Sequence, residues 1–205
     1  MSHEEHDGGL TDEKGTVVLM ATATTDRDLT LVADFVNTLD VQSGSDGLRS
    51  AEALRGWLVE RGLLATAHPV TEAGLGRALA LREAIRGIAE RNNPGAEVPR
   101  DEDPVETLNR IATEARMVLA FDPGGGAHLT SSDEGVDGSL GRILGAVFVS
   151  MADGRWERFK ACARHACRWV YYDRSRNRSR TWCSMDECGN REKARAFRER
   201  RKAGR

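Results

Sequence analysis

Cysteine is the residue with the clearest chemistry in this chain, and its four copies lie close together near the C-terminal end. They follow the spacing Cys162-x4-Cys167-x15-Cys183-x4-Cys188. Two close pairs separated by a loop of medium length suit a tetrahedral metal ion, and Zn²⁺ binds four thiolates at about 2.3 Å in closed structural sites. The spacing therefore predicts one structural Zn²⁺ ion. Because four thiolates leave no position for water, the site is not expected to be catalytic.

Two alternatives to this ligand set stay open at the level of sequence. Four cysteines could form two disulfides, but disulfides belong to oxidising compartments, and nothing in the chain resembles a secreted protein. His165 lies between the first two cysteines and could replace Cys167 as a zinc ligand.

The residues around the cysteines predict a hairpin followed by a helix. Residues 168–172 are rich in β-branched and aromatic side chains, which favours a strand and puts the first cysteine pair at the turn of a short hairpin. Ser184 and Glu187 have the spacing of a capping box, so a helix is predicted to begin at the second cysteine pair. Each close cysteine pair is a zinc knuckle. The first knuckle, on a hairpin, and the second, at the start of a helix, form a treble-clef-like arrangement.

Two strongly basic stretches accompany the cysteines. The arginine loop, residues 174–180, alternates arginine with small polar residues, and guanidinium groups match phosphate oxygens. The helix after Cys188 carries basic residues at i, i+4, i+7 and i+11, on one face that could contact phosphates or enter a major groove. Ala194 and Phe197 could face the hairpin and anchor this helix there. The predicted nucleic-acid contacts are Arg174, Arg176, Arg178, Arg180, Arg191, Arg195, Arg198 and Lys202.

Purely structural roles stay open for several residues in this region. Asn190 could bond to local backbone, and Arg191 could pair with Asp173 or Asp186. Four aromatic side chains could stack on bases, but such residues more often form the core of a small domain. These aromatic residues are Trp169, Tyr171, Tyr172 and Trp182.

The charge of the chain is divided unevenly. Residues 153–205 contain 17 Lys and Arg against 7 Asp and Glu, a net charge of +10. The rest of the chain holds the remaining 13 basic and 25 acidic residues, a net charge of −12. A basic end on an acidic body indicates contact with nucleic acid, although a solvated helix face or association between the two ends would give the same pattern.

The second cysteine pair carries a resemblance to a known family. NRSRTWCSM at residues 177–185, followed by CGNR at residues 188–191, resembles the CGNR zinc finger family of bacterial proteins, which are regarded as transcription regulators. The usual N-terminal partner of that finger is the ABATE domain, a stress-response module, and DFVNT at residues 34–38 resembles its opening signature. The resemblance implies zinc on all four cysteines and a nucleic-acid role, for which DNA is the expected partner.

The rest of the sequence predicts a mainly α protein. Apolar residues at helical spacing and capping signals indicate five helices, and residues 117–121 and 128–130 flank a glycine-rich turn that predicts one small β-hairpin. The helices are expected near residues 32–39, 50–61, 71–91, 103–115 and 140–151. Asn37 and Thr38 fall inside the first of them. The predicted domains are a flexible tail at residues 1–24, with a short strand at residues 16–20, a helical ABATE-like domain at 25–152 and the finger at 153–205.

These features together predict a bacterial transcription regulator that binds DNA through its finger, with the helical domain as a sensor or oligomerisation module. The alternative is a zinc module that binds RNA or a protein without DNA sequence specificity. The sequence shows no nucleophile–base pair and no cofactor fingerprint, so an enzyme is not expected. Removing the metal is expected to unfold residues 155–205.

The surroundings of the protein can also be predicted. The acidic, polar N-terminus is not a signal peptide, and the longest apolar run is too short to span a bilayer, so a cytoplasmic location and no membrane partner are expected. The apolar stripe at residues 140–151 is expected to pack in the core, and it could also form the seam of a homodimer. The helical domain could bind a small-molecule effector.

Overall fold

The computed structural model describes residues 26–94, 104–124 and 126–203. These residues form a mainly α fold with short antiparallel strand pairs, as the sequence predicts. The helices are α1 (Asp26–Val36), α2 (Ala51–Glu60), α3 (Glu72–Glu90), α4 (Pro104–Glu114), α5 (Val136–Ala152) and α6 (Asn190–Ala203). The strand pairs are β1 (Leu39–Asp40) with β2 (Ser45–Asp46), β3 (Met117–Phe121) with β4 (Ala127–Ser131), and β5 (Phe159–Ala161) with β6 (Val170–Tyr172).

Some predicted features lie outside the described residues. They are the tail at residues 1–24, the short strand at residues 16–20 and the helix cap at Asp103. Within the described ranges, none of the helices combines the length and the apolar character that crossing a bilayer requires.

Local sequence sets the ends of the helices where the sequence predicts them. The hydroxyl of Ser50 accepts a hydrogen bond from the backbone N–H of Ala53, and the hydroxyl of Thr71 accepts one from Gly74, both at 3.1 Å. Such bonds satisfy N–H groups that have no partner in the first turn of a helix. α2 is followed by Gly62, whose φ of +67° lies in the left-handed region that commonly terminates a helix.

The hydrophobic core of the helical body forms where α1, α3 and α5 meet. Phe35, Ile85 and Ile143, one from each helix, are fully buried. The β3–β4 hairpin packs beside α5, and the chain there comes very close to the helix. A Cβ atom at Gly138 would lie 1.8 Å from the carbonyl oxygen of Asp133, so only glycine fits. Most of the apolar stripe of α5 is thus buried in the protein's own core, whereas Phe148 and Met151, at its C-terminal end, are 54% and 44% exposed.

The hydrophobic core does not end with α5. Trp156, Phe159, Ala161 and Val170, from the segment after α5, are buried in the same apolar cluster as the helices. The β5–β6 hairpin is therefore packed into the main body, although it lies beyond residue 152, where the sequence predicts a domain boundary. The boundary stays a prediction, and the packing continues across it.

Asparagine side chains from the helical body hold the backbone of this hairpin. The amide of Asn37 donates to the carbonyl oxygen of Val170 and accepts from the N–H of the same residue, both at 2.8 Å. The amide of Asn92 donates to the carbonyl oxygens of Trp156 and Phe159, also at 2.8 Å. The hairpin is thus joined to the helices by hydrogen bonds as well as by apolar packing.

Arg86 provides a second connection between the helices and the hairpin. Its guanidinium is completely buried and donates to the carbonyl oxygens of Val36 at 2.7 Å and Arg168 at 2.8 Å. It also forms an ion pair of 3.1 Å with Glu83. A buried guanidinium is tolerated only when its donors are satisfied. Arg86 therefore fixes the end of α1 and the hairpin to α3.

Two sequence expectations about helices are wrong. α1 ends at Val36, so Asn37 and Thr38 lie in the turn after the helix, where the Asn37 side chain reaches the hairpin. α6 contains no buried residue, and Ala194 and Phe197 are exposed, so they do not anchor it on the hairpin. α6 begins directly after the second cysteine pair, and none of its residues is buried.

Candidate zinc site and basic surface

The four cysteine sulfurs come together where the β5–β6 hairpin faces the start of α6. All four Sγ atoms lie within 4.8 Å of one another. The Sγ atom of Cys183 is 3.7 Å from that of Cys167 and 3.8 Å from that of Cys188. Four thiolates at about 2.3 Å from a tetrahedral zinc ion are separated by roughly 3.8 Å. The four cysteines are therefore positioned to bind one zinc ion, as the sequence predicts.

The alternative ligand sets do not fit this geometry. All four cysteines are free thiols, and separations of 3.7 and 3.8 Å are far longer than the roughly 2.05 Å of a disulfide bond. His165 is exposed, whereas the gathered ligand atoms are the four sulfurs. Cys167, and not His165, is therefore positioned as the ligand, and a closed set of four thiolates fits a structural ion.

The electrostatics of the four-thiol cluster favour a cation. Burial raises the pKa of Cys167 to about 11, and the nearby Cys162 adds to this effect. The pKa of Cys183 is raised for the same reasons, by burial and then by neighbouring sulfurs. Burial also opposes ionisation of Cys188, but hydrogen bonds from the other thiols and from Arg164 lower the pKa of that group. Four ionised thiols at this spacing need a divalent cation to offset their repulsion.

The turn that carries the last ligand is capped as predicted. The segment Met185–Gly189 is one π-helical turn that leads into α6. The hydroxyl of Ser184 accepts a hydrogen bond from the N–H of Glu187 at 3.3 Å. The side chain of Asn190 donates to the carbonyl oxygen of Asp186, also at 3.3 Å. Asn190 thus bonds to local backbone, which is the structural role left open by the sequence.

Arg164, in the first knuckle, connects the metal site to its surroundings. Its guanidinium donates to the side-chain oxygen of Gln42, in the body, and is 3.8 Å from the carboxylate of Glu192, in the first turn of α6. Arg164 thus lies between the body and the first turn of α6, next to the metal ligands.

The arginine loop is held from beneath by a buried ion pair. The ammonium of Lys160, in β5, lies 2.9 Å from the carboxylate of Asp173, and both side chains are buried. Burial disfavours the ionised carboxylate, but hydrogen bonds from Ser175 and Lys160 outweigh it and lower the pKa of Asp173 to about 2. The side chain of Arg158 also donates to the carbonyl oxygens of Asp173 and Ser175, at 3.0 and 2.8 Å.

Three arginines of the loop have partners within the protein. Arg174 forms an exposed pair with Asp26 at 3.4 Å, and Arg178 pairs with Glu157. Arg180 donates to the carbonyl oxygens of Trp182 and Cys183 and lies over the ring of Tyr171. Arg176 is exposed, and it has no ion pair or hydrogen bond with the described residues. Of the predicted nucleic-acid contacts in this loop, Arg176 is the one that the protein leaves for a partner.

α6 presents a different kind of basic surface. Its 14 residues include seven basic and two acidic side chains, and none of the 14 is buried. Arg195 is paired with Glu192 at 2.9 Å and Glu199 at 2.8 Å. The other predicted contacts of this helix are exposed and have no such partner in the part of the chain that the structure describes. They are Arg191, Arg198 and Lys202.

Most aromatic side chains of the region serve the fold. Tyr171 is buried, and its hydroxyl donates to the carbonyl oxygen of Arg180 at 2.8 Å. Trp182 packs against the cysteine cluster, and Tyr172 packs against the main core. Trp169 is 39% exposed and is the member of this group that is most accessible to a base.

Two protein families match this chain. The CGNR zinc finger matches residues 158–201, which include all four cysteines, the arginine loop and most of α6. A second family, ABATE, with the description "Putative stress-induced transcription regulator", matches residues 29–167. That match covers more than half of the chain. The chain belongs to the ABATE family. The ABATE description supports a role in regulating transcription, and the other description names a zinc finger. Among curated proteins, no similar sequence was found.

The ABATE match extends into the zinc site. It overlaps the CGNR match at residues 158–167, which contain β5 and the first cysteine pair. The structure shows the physical basis, because β5 is buried in the main core. The ABATE signature at residues 34–38 contains Asn37, whose side chain binds the backbone of β6. One function of that signature in this protein is to hold the hairpin that carries the first knuckle.

Sequence reasoning missed several residues that build this site. Their spacing in the sequence does not distinguish them from ordinary surface residues or residues at helix ends. They are Lys160, Asn92 and Arg86. Lys160 gave a usable signal, because a lysine flanked by apolar residues at the start of a short strand needs a partner when it is buried. Asn92 and Arg86 gave none, since their partners are backbone atoms of a segment about 65 to 80 residues away.

Proposed function

We propose that this ABATE family protein is a transcription regulator that binds duplex DNA through its basic C-terminal region. The observation that carries the proposal is α6, which has seven basic residues in 14, has no buried side chain and begins at a zinc ligand set. A helix of this length extends for about 21 Å. The absence of any buried side chain is unusual for a helix of a folded domain, and it leaves most of the helix surface accessible for insertion into a groove.

The dimensions of α6 suit the major groove. B-form DNA has a major groove about 12 Å wide, which admits an α-helix with its side chains. Arg191, Arg198 and Lys202 have no described partner in the protein and would be available for phosphates or base edges. The net charge of −12 outside residues 153–205 repels DNA from the helical body, which favours binding with α6 toward the DNA.

The helical body is proposed to act as the sensor or oligomerisation module, in a response to stress. A homodimer seam on α5 would be limited to the exposed side chains of Phe148 and Met151, since the rest of its apolar stripe is buried within the protein. A small-molecule effector is proposed to act on this body, and its chemistry is not specified by the residues. The proposal is for a binding protein of the cytoplasm and not for an enzyme.

The decisive experiment is selection from random duplex oligonucleotides with the full-length, zinc-loaded protein. Fluorescence anisotropy of the selected and of unrelated duplexes then gives affinities from 50 to 200 mM salt. With about four to six phosphate contacts, log K is expected to fall with log salt at a slope of about −4 to −5. Enrichment of one sequence, bound well above unrelated duplexes, supports a regulator that reads DNA.

Other results separate the alternatives. Equal binding to any duplex, RNA or polyanion, with a similar salt slope, would indicate the nonspecific module that the sequence left open. A folded protein with one bound zinc ion and no affinity for nucleic acid at 50 mM salt would contradict the proposal. Zinc content and circular dichroism of the same preparation provide the control for folding.

A further inference from the structure

The backbone of the arginine loop is held in place although it forms no helix or strand. The ammonium of Lys160 donates to the carbonyl oxygens of Arg178 and Arg180 in addition to Asp173. The carboxylate of Asp173 accepts from the N–H groups of Ser175 and Arg180, at 2.9 and 3.0 Å. Two buried side chains thus hold the loop through four backbone groups.

The pair itself adds no net charge to the surface. Lys160 is 1% exposed and Asp173 is 0% exposed, and the two charges face each other at 2.9 Å. All three ammonium hydrogens have an acceptor, so the lysine is fully satisfied. Any influence of this pair on an anionic partner therefore acts through the shape of the loop and not through attraction.

Residues 175–178 of the arginine loop form a turn. The N–H of Arg178 bonds to the carbonyl oxygen of Ser175 at 3.3 Å, which makes Arg176 and Asn177 the central residues. Arg178 has a φ of +51°, a left-handed conformation that non-glycine residues rarely adopt. Lys160 binds the carbonyl oxygen of this same residue. The buried lysine therefore stabilises an unfavourable backbone conformation that brings Arg176 to the tip of the loop.

We propose that Lys160 and Asp173 are positioning residues that shape the arginine loop so that Arg176 contacts a phosphate of the nucleic-acid backbone. This inference rests on the proposed function, and it adds a second contact site beside α6. The other three arginines of the loop are engaged within the protein, and Arg176 has no described partner. A loop that is ordered before binding avoids the entropy loss of ordering it in the complex.

The test uses a substitution that keeps the net charge. Lys160→Met with Asp173→Asn removes both charges together, so neither is left buried alone, and Asn keeps a side-chain oxygen for the N–H groups of Ser175 and Arg180. In the zinc-loaded protein, trypsin cleavage after Arg176 or Arg178 is expected to accelerate at least tenfold, because the loop opens. Affinity for duplex DNA at fixed salt is expected to fall on the order of tenfold.

A coupling measurement separates positioning from general stability. Arg176→Gln is expected to weaken DNA binding about threefold to fivefold in the wild-type background and less than twofold in the double variant, since the unshaped loop no longer presents that residue. Arg198→Gln, on α6, is the matched control and should weaken binding by the same factor in both backgrounds. A merely destabilised protein would not show this difference.

Several outcomes would overturn the inference. They are unchanged cleavage and affinity in the double variant, an equal effect of Arg176→Gln in both backgrounds, and loss of the zinc ion with general unfolding. If the wild-type protein binds no DNA, the proposed function fails. The cleavage assay would then still report whether the pair shapes the loop.

Discussion

The arginine loop and α6 are both basic and both lie beside the zinc ligands, but the protein holds them in different ways. The loop is fixed by a buried ion pair and by hydrogen bonds to the β5–β6 hairpin, which is part of the main core. α6 buries none of its residues and is attached through its first turn, at the second cysteine pair. One element is secured by the fold and the other by the metal.

The arginine loop and α6 therefore differ in what they can offer a nucleic acid, although both are similarly basic in sequence. Three arginines of the loop have ion-pair or hydrogen-bond partners within the protein, whereas most basic residues of α6 are exposed and have none among the described residues. The loop can therefore provide a shaped contact, and α6 can provide most of the available charge. We expect the metal to determine whether α6 is held in one orientation, because the helix buries no side chain and its other contact with the body is the ion pair of Glu192 with Arg164.

Removing the metal should have the largest effect, because it should affect α6 and leave the β5–β6 hairpin in place. A chelator is expected to release residues 183–203, while residues 159–172 keep their order, since the hairpin is buried in the main core. Structural zinc contributes roughly 10 to 16 kcal/mol in small fingers. Hydrogen exchange followed by mass spectrometry would show loss of protection in the first segment only. Loss of protection in both would support the larger unit, residues 155–205, that the sequence predicts.

Asn37→Ala should weaken the connection on which the loop depends. It removes two hydrogen bonds of 2.8 Å and leaves the N–H and C=O groups of Val170, which is 1% exposed, without that partner. The expected loss is about 2 to 4 kcal/mol of unfolding free energy. Urea denaturation of the zinc-loaded protein measures it. Asn109→Ala, at an exposed position of α4, is the control and should stay within about 0.5 kcal/mol.

Substitution of two arginines of α6 tests whether unpaired basic residues of this helix contact DNA. Arg198→Gln is expected to weaken DNA binding severalfold and to reduce the salt slope by about 0.9, the value for one phosphate contact. Arg195→Gln is the matched control, because Arg195 is already paired with Glu192 and Glu199. Its effect should be smaller in a salt series of anisotropy titrations. Equal effects of the two substitutions would mean that the ion pairs break on binding.

Ser184→Ala should have the smallest effect. It removes the hydrogen bond of 3.3 Å to the N–H of Glu187 at the start of the turn that carries Cys188. Loss of a helix cap costs about 0.5 to 1 kcal/mol. Competition with a chromogenic chelator would measure a decrease in zinc affinity of about threefold. A decrease of more than a hundredfold would show that the cap, rather than the thiolates, determines the attachment of α6.

Several elements were predictable because their determinants are local. The caps at Ser50, Thr71 and Ser184 lie within three residues of the groups they bind. The β3–β4 hairpin follows from a glycine-rich turn between apolar runs. The anchoring of α6 through Phe197 was predicted wrongly, because an apolar residue on a helix shows that it could be buried and not what lies opposite it.

The sequence by itself determined the zinc ligands, the helical class of the fold and the position of the basic residues, since these depend on residue type and short spacing. Only the tertiary structure decided which basic residues are available and that the first knuckle belongs to the helical core. Those properties depend on contacts such as Asn37 with Val170 and Lys160 with the arginine loop. Their partners are brought together by the packing of distant segments, which no local pattern records.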